Sequence, residues 1–146
     1  MSGVEENFDF SNVRPDFAVH KARILAIGAG GAGNNTITTL TEMGINGAIT
    51  VATNTDAKHL LSSKADRKVL IGKTLTKGLG AGGYPDIGKN AATENKLQFK
   101  ELLNDTDLVF LTCGLGGGTG TGALPVIARY ARDAGAIVIA VVTLPF

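Results

Sequence analysis

The sequence has few of the residues on which several classes of protein depend. It has one cysteine, Cys113, and two histidines without ligand spacing, so neither a disulfide framework nor a Cys/His metal site is expected. Its formal net charge of +1 provides no basic surface for nucleic acid. No apolar run approaches the roughly 20 residues of a membrane span, and residues 1–20 lack the apolar core of a signal peptide. We therefore expect a cytoplasmic chain with no membrane insertion.

Glycine, by contrast, is abundant, and most of the 20 glycines fall in three clusters. Between the clusters, short apolar runs alternate with helical patterns. Helices are predicted from a cap at Asn34 or Asn35 to about Met43, up to Leu61, with interruptions from Pro85 to about Leu103, and up to Asp133. The runs are apolar throughout rather than alternating, which is typical of buried parallel strands. The predicted fold is α/β, a Rossmann-like, mostly parallel sheet with helices on both faces. The predicted strands are 24–27, 49–52, 69–71, 108–111 and 136–142.

The first cluster reads GAGGAG over residues 28–33, directly after a strand and directly before a helix. This is the G-x-G-x-x-G fingerprint in the setting that dinucleotide binding requires. Asp56 lies about twenty residues further on, where such an enzyme holds the ribose. Taken alone, this cluster favours an NAD(P)-dependent oxidoreductase. The alternative is a tight turn that binds no ligand.

Residues 72–74 read GKT, the end of a P-loop signature. That signature also needs a glycine five positions earlier, where this chain has Arg67. We therefore expect an ordinary turn here, within a long loop that covers residues 72–84.

The cluster at residues 116–122, GGGTGTG, decides between these possibilities. It follows a predicted strand and opens a helix whose apolar face continues at Val126, Ile127 and Tyr130. Five glycines and two threonines provide a run of bare N–H groups and two hydroxyl donors, which suits di- or triphosphate oxygens. A single dinucleotide fingerprint does not require a second phosphate loop of this richness.

Several motifs together resemble the FtsZ/tubulin class of self-assembling GTPases. Residues 116–122 resemble the signature loop of that class, and residues 28–35 resemble its first phosphate loop. The NTD at 54–56, GLGAGGYP at 78–85 and VVTLPF at 141–146 are similar to further family segments in the same order. The NTDA and GLGAG forms are closer to FtsZ than to tubulin. The resemblance covers most of the chain.

The resemblance implies GTP/GDP and Mg²⁺ as cofactors, with no direct metal ligand on the chain and the ion held through phosphates and water, near Asp56. The chain departs from the common pattern at Ala32 and Asn34, where glycine is more usual, and at Gly83–Tyr84, where alanine and asparagine are common. Few Lys or Arg residues flank the clusters, so backbone N–H groups, helix dipoles and the metal would meet the phosphate charge. The implied nucleotide-binding residues are Gly31, Ala32, Gly33, Asn34, Asn35, Asn54, Asp56, Ala81, Gly82, Gly83, Gly116, Gly117, Gly118, Thr119 and Gly120.

The resemblance also sets the expected domain organisation. Residues 1–21 are expected to form a flexible N-terminal arm, and residues 22–146 a partial GTP-binding domain without the C-terminal activation domain. No catalytic residue is expected on this chain, because in the family the acidic loop that completes hydrolysis comes from a neighbouring subunit. The intact protein would self-associate head to tail, act at the division site and meet division-protein partners.

Three further expectations concern the edge of the sheet, two single residues and a third possible function. A sheet that stops before the end of its domain should have an exposed edge and an uncovered apolar face. Cys113 and His59 are interpreted as packing or surface residues. A scaffold whose loops no longer bind nucleotide is a third possible function, beside the GTPase and the oxidoreductase.

Overall fold

The computed structural model describes residues 21–145, so the predicted N-terminal arm lies outside the described part apart from Lys21. The strands are β1 (Ile24–Ala29), β2 (Ala48–Asn54), β3 (Arg67–Leu70), β4 (Leu108–Gly114) and β5 (Ile137–Thr143). The helices are α1 (Gly30–Met43), α2 (Ala57–Ser62), α3 (Lys73–Thr76), α4 (Pro85–Glu94), α5 (Lys96–Leu103) and α6 (Thr119–Asp133). The strands form one sheet in the order β3-β2-β1-β4-β5, and every neighbouring pair is parallel. The predicted α/β fold is confirmed.

Helices cover both faces of the sheet, as the apolar strand pattern predicts. In β1 the side chains alternate, so that Leu25 and Ile27 face α4, α5 and α6 while Ala26 faces α1 and α2. The first face holds the larger core, in which Phe99 of α5 and Ile127 of α6 are fully buried. The second core is small and contains Ala26, Ile37, Ala52 and Leu60.

Strand β5 forms one edge of the sheet and is poorly covered. It pairs with β4 alone within residues 21–145, and most of its side chains are exposed. Ile139 and Val141 lie opposite Phe110 and Thr112 of β4, on the α1 side, and Phe110 is also exposed. This part of the chain therefore has the exposed edge and apolar face that the sequence predicts.

The prediction that Asn34 or Asn35 caps the first helix is wrong. Helix α1 begins at Gly30, whose φ of 74° turns the chain directly from β1 into the helix, a conformation that favours glycine. Asn34 is instead fully buried, and its Oδ1 accepts the backbone N–H of Thr53 in β2 at 3.1 Å. Asn34 and Asn35 both lie inside the helix, after its first turn, so neither can cap its start.

The long loop predicted for residues 72–84 contains one helical turn, α3. Its N–H groups at Thr74 and Leu75 donate to the Glu94 carboxylate of α4 at 2.9 and 3.3 Å, a partner that lies twenty residues away. Gly72, with φ 64°, begins this turn, and a Cβ at Gly72 would collide with Ala91. The GKT segment is thus an ordinary packed turn, as expected. No helix among residues 21–145 has the length and apolar character to cross a bilayer.

Candidate functional site

The glycine clusters meet at the carboxyl edge of the sheet, where ligands of parallel α/β sheets usually bind. Strands β1 and β4 are neighbours, so the turns that follow them lie side by side. A Cβ at Gly30 would lie only 3.0 Å from the backbone nitrogen of Gly120. The hydroxyls of Thr55, after β2, and Thr119, after β4, share a buried 2.6 Å hydrogen bond. Three strand ends therefore form one continuous surface.

The third glycine loop completes this surface from the side of α4. A Cβ at Gly118 would lie 2.7 Å from the Tyr84 nitrogen and 2.9 Å from the Ala81 Cβ. Gly80 donates its N–H to the Thr55 carbonyl at 3.2 Å, and Ala57 donates to Gly78 at 3.0 Å. The loop is thus hydrogen bonded to the NTD segment and packed against the signature cluster.

A cleft of about 450 Å³ opens between the turn after β1 and the turn after β4. Backbone and small side chains form most of its wall, and no charged side chain of residues 21–145 lines it. An anion in this cleft would therefore meet N–H groups rather than lysine or arginine. The lining residues are Ala29, Gly30, Gly31, Ala32, Gly114, Leu115, Gly117, Gly118, Thr119, Gly120, Thr143, Leu144 and Pro145.

Two helices begin at this cleft without a side-chain cap. The N-cap residues are Ala29 for α1 and Gly118 for α6, and no side chain among the residues that the structure describes caps either helix. The first four N–H groups of a helix have no partner within the helix. Together with the helix dipole, such groups form a ready site for an anion.

The glycines of the site serve two different purposes. At Gly33 a Cβ would lie 2.5 Å from the Thr112 carbonyl oxygen, and at Gly122 it would collide with the Pro85 carbonyl, so these positions permit close packing. At Gly117 a Cβ would meet nothing within 4 Å, and at Gly31 only His59 Nε2, at 3.9 Å. The second pair leaves room beside the helix starts, which is the room that a ligand would need.

The NTD segment is organised by hydrogen bonds among its own residues. Asn54 Oδ1 accepts the Asp56 N–H at 3.2 Å, and Asp56 Oδ1 accepts the His59 N–H at 3.0 Å, which caps α2. Asn54 is buried and Asp56 is half-buried. The Asp56 carboxylate therefore holds the start of α2.

Six of the fifteen sequence-predicted residues line this cleft, and the others lie in different positions. Gly33 and Asn34 are buried behind the first turn of α1, and Asn35 is exposed further along the helix. Gly116 is exposed, and its N–H is taken by the Thr121 hydroxyl at 3.0 Å. Ala81 is buried against Gly118, while Gly82 and Gly83 are exposed beside it. The predicted residues that line the cleft itself are Gly31, Ala32, Gly117, Gly118, Thr119 and Gly120.

Sequence reasoning missed two side chains at this edge. Thr55 is fully buried beneath the cleft, where its hydroxyl joins two loops. His59 lies next to Asn54 and Gly31, although an isolated histidine in the sequence gives no signal for this position. Cys113 is buried, as predicted, and burial raises the pKa of its thiol, as for an unreactive packing residue.

Known proteins are similar to this chain over the part that contains these segments. Residues 23–146 match the family described as the Tubulin/FtsZ family, GTPase domain. The chain is 60% identical over 126 residues to cell division protein FtsZ 1 of Methanocaldococcus jannaschii, covering 86% of this chain and 35% of that protein. The chain thus spans about a third of the length of the curated relatives that it matches.

Solved structures give the same picture. An FtsZ dimer of M. jannaschii, described as empty, superposes with a TM-score of 0.85 at 60% identity, covering 87% of this chain and 37% of that one. CetZ2 from Haloferax volcanii, a GTPγS-bound protofilament, superposes with a TM-score of 0.73 at 27% identity, covering 82% of this chain and 39% of that one. These likenesses favour a tubulin-type GTPase domain over the NAD(P) oxidoreductase alternative.

Proposed function

The chain belongs to the Tubulin/FtsZ family, within its GTPase domain, and on that premise we propose that it is the GTP-binding part of a filament-forming GTPase of prokaryotic cell division. The observation that carries the proposal is the pair of uncapped helix starts, at α1 and α6, which face one cleft. Two such starts on neighbouring strands provide N–H donors from two sides to a chain of phosphates.

The residues of the cleft fit a nucleotide phosphate chain. The positions of Gly31 and Gly117 are open, so backbone N–H groups can be approached closely, and no carboxylate of residues 21–145 lines the cleft to repel an anion. Gly82 and Gly83, exposed on the third loop, would contact the terminal phosphate. GTP would supply the phosphoanhydride bond, and Mg²⁺, which would be held through phosphates and water near Asp56, would supply countercharge. Asn54 and Asp56 would orient that water.

Hydrolysis on this proposal is shared between subunits. No residue of this chain is assigned a catalytic role, and the intact protein would self-associate head to tail in the cytoplasm at the division site, with division-protein partners. Relatives described as cell division proteins, a dimer and a protofilament support this proposal. On their own, the 146 residues are expected to bind nucleotide weakly and to turn over little GTP.

Titration calorimetry of the chain with GTP, GDP and NAD⁺, each in Mg²⁺ buffer, tests the proposal. We expect heat from GTP and GDP and none from NAD⁺. A preference for NAD⁺ would restore the oxidoreductase interpretation, and no heat from any of the three would support a scaffold with vestigial loops. GTP turnover as fast as that of a full-length relative would contradict the assignment of hydrolysis to a second subunit.

A further inference from the structure

His59 lies beside the proposed phosphate site but is not part of any of its glycine loops. It is on α2, one turn after the capping residue Asp56, and is half-buried. Its Nδ1 lies 3.4 Å from the Asn54 side-chain nitrogen. Its Nε2 lies 3.9 Å from the position that a Cβ at Gly31 would occupy, in the first turn of α1. The ring therefore bridges the NTD segment and the first phosphate loop.

The hydrogen bonds around Asn54 determine which ring nitrogen carries the proton. Asn54 Oδ1 accepts the Asp56 N–H, so the amide is oriented with its nitrogen towards His59. An amide nitrogen only donates, hence Nδ1 of His59 must accept. In the neutral ring the proton is then on Nε2. The ring presents an N–H donor to the side on which Gly31 lies.

Nothing among residues 21–145 accepts from this donor. Nε2 has no hydrogen-bond partner there, and the nearest position, Gly31, is exposed and has no side chain. The Asp56 carboxylate accepts the backbone N–H of His59 through Oδ1. The donor lies beside the uncapped start of α1, where an anion is proposed to bind and where no lysine or arginine from the described part of the chain lines the cleft.

We propose that His59 is a phosphate-binding residue, whose Nε2–H donates a hydrogen bond to a phosphate oxygen of the bound nucleotide. The inference rests on the proposed function, because it adds a side-chain donor to a site otherwise made of backbone N–H groups. Asn54 is the positioning residue for the ring, since its amide holds Nδ1 as an acceptor and so directs the proton to Nε2.

The test compares nucleotide affinities of the wild-type chain with those of His59→Leu and His59→Gln. Leucine retains the volume without a donor, and glutamine retains an N–H donor on a flexible side chain. The helix itself should be unaffected, because its contacts with Asp56 and Ser63 use the backbone of residue 59. Lys58→Leu, on the exposed neighbouring position, is the matched control for loss of a polar side chain on α2.

By calorimetry we expect His59→Leu to weaken GTP binding about tenfold, as for loss of a charge-assisted hydrogen bond. We expect His59→Gln to remain within about threefold of wild type, and Lys58→Leu within about twofold. Equal urea midpoints without nucleotide would establish that all variants fold alike. If the wild type binds GTP and His59→Leu binds it equally well, or if Lys58→Leu is equally impaired, the inference is wrong and the proposed function stands. A wild type that binds no nucleotide overturns both.

Nitrogen NMR of the imidazole gives a readout that a purely structural role would not change. The chain has two histidines, so the signal that disappears in His59→Leu identifies His59. We expect the neutral ring to show its proton on Nε2, and the Nε2 signal to shift when GTP is added. A proton on Nδ1, or an Nε2 signal that does not change at saturating GTP, would contradict the proposal.

Discussion

Four helix N-termini in this domain differ in whether a carboxylate accepts their free N–H groups. At α2, the Asp56 carboxylate accepts the N–H of His59, and at α3 the Glu94 carboxylate accepts those of Thr74 and Leu75. In both places the chain itself supplies the negative charge that a helix N-terminus favours. These two helices are short, with six and four residues, so a tertiary or capping partner is what makes them stable.

At α1 and α6 no residue of the described part of the chain supplies such an acceptor. Their N-cap residues, Ala29 and Gly118, have no side chain that could accept, and the surrounding cleft is lined by glycine and small residues. These are the longest helices of the described part, with 14 and 15 residues, and they pack against the sheet, so they are stable without a cap. Among these four helix starts, the two with open N–H groups are those at the proposed phosphate site, and the two with carboxylate acceptors lie outside its lining. Helices α4 and α5 also lack a side-chain cap from residues 21–145, but they do not line the cleft.

Placing a carboxylate at an open helix start should abolish this difference. Gly117 is exposed, has open space for a side chain and directly precedes the N-cap of α6, so Gly117→Asp can be accommodated. The new charge would take the place of a phosphate and repel the others. We expect GTP affinity to fall at least tenfold, or about 1.4 kcal/mol, by calorimetry. The chain without nucleotide should be as stable as wild type or slightly more stable.

Gly117→Asn is the control for this change, since it has nearly the same shape without the charge. It should retain clearly more affinity than Gly117→Asp. If the two variants lose affinity equally, crowding rather than charge is responsible, and the open helix start is not the binding feature.

Removing the carboxylate from a capped start is the converse change, with a smaller expected effect. Asp56→Ala should lower the free energy of unfolding by about 1 kcal/mol in the absence of nucleotide, because the His59 N–H loses its acceptor. Urea denaturation monitored by circular dichroism measures this. Asp56→Ser retains an acceptor and should recover most of the loss, so equal destabilisation by alanine and serine would show that the cap contributes nothing.

The sheet and the glycine loops could be predicted from the sequence because their signals are local. Each strand is a short apolar run that ends at a glycine cluster or a polar turn, and the predicted strands differ from the observed ones mainly at their ends. Strand β4, predicted over 108–111, continues to Gly114, since its last residues still pair with β5. Loops that follow neighbouring parallel strands must meet at one edge, so the site followed from the topology.

What the sequence did not reveal depends on partners that are distant along the chain. The sequence pattern predicts Asn34 as a helix cap, but its side chain accepts a hydrogen bond from the backbone N–H of Thr53, nineteen residues later. Helix α3 has no helical signal of its own and depends on Glu94. The place of His59 beside Gly31 follows from the packing of α2 next to α1, which no motif encodes.

The pH dependence of stability through Glu94, at the start of α3, tests the comparison with the smallest expected effect. The backbone N–H of Thr74, with that of Leu75, holds the pKa of the Glu94 carboxyl below its usual value. A lowered pKa in the folded state means stabilisation that is present above the usual glutamate pKa and is lost as the pH falls through the lowered pKa. Glu94→Gln should therefore have a lower urea midpoint than wild type at pH 7, and the two midpoints should converge as the pH falls below the lowered pKa. The difference is expected to be small, because the carboxylate is fully exposed and screened by solvent.

A difference between the two urea midpoints that persists or widens in acid would mean that the charge of Glu94 does not stabilise α3. The contrast between carboxylate-capped and open helix starts would then rest on Asp56 alone.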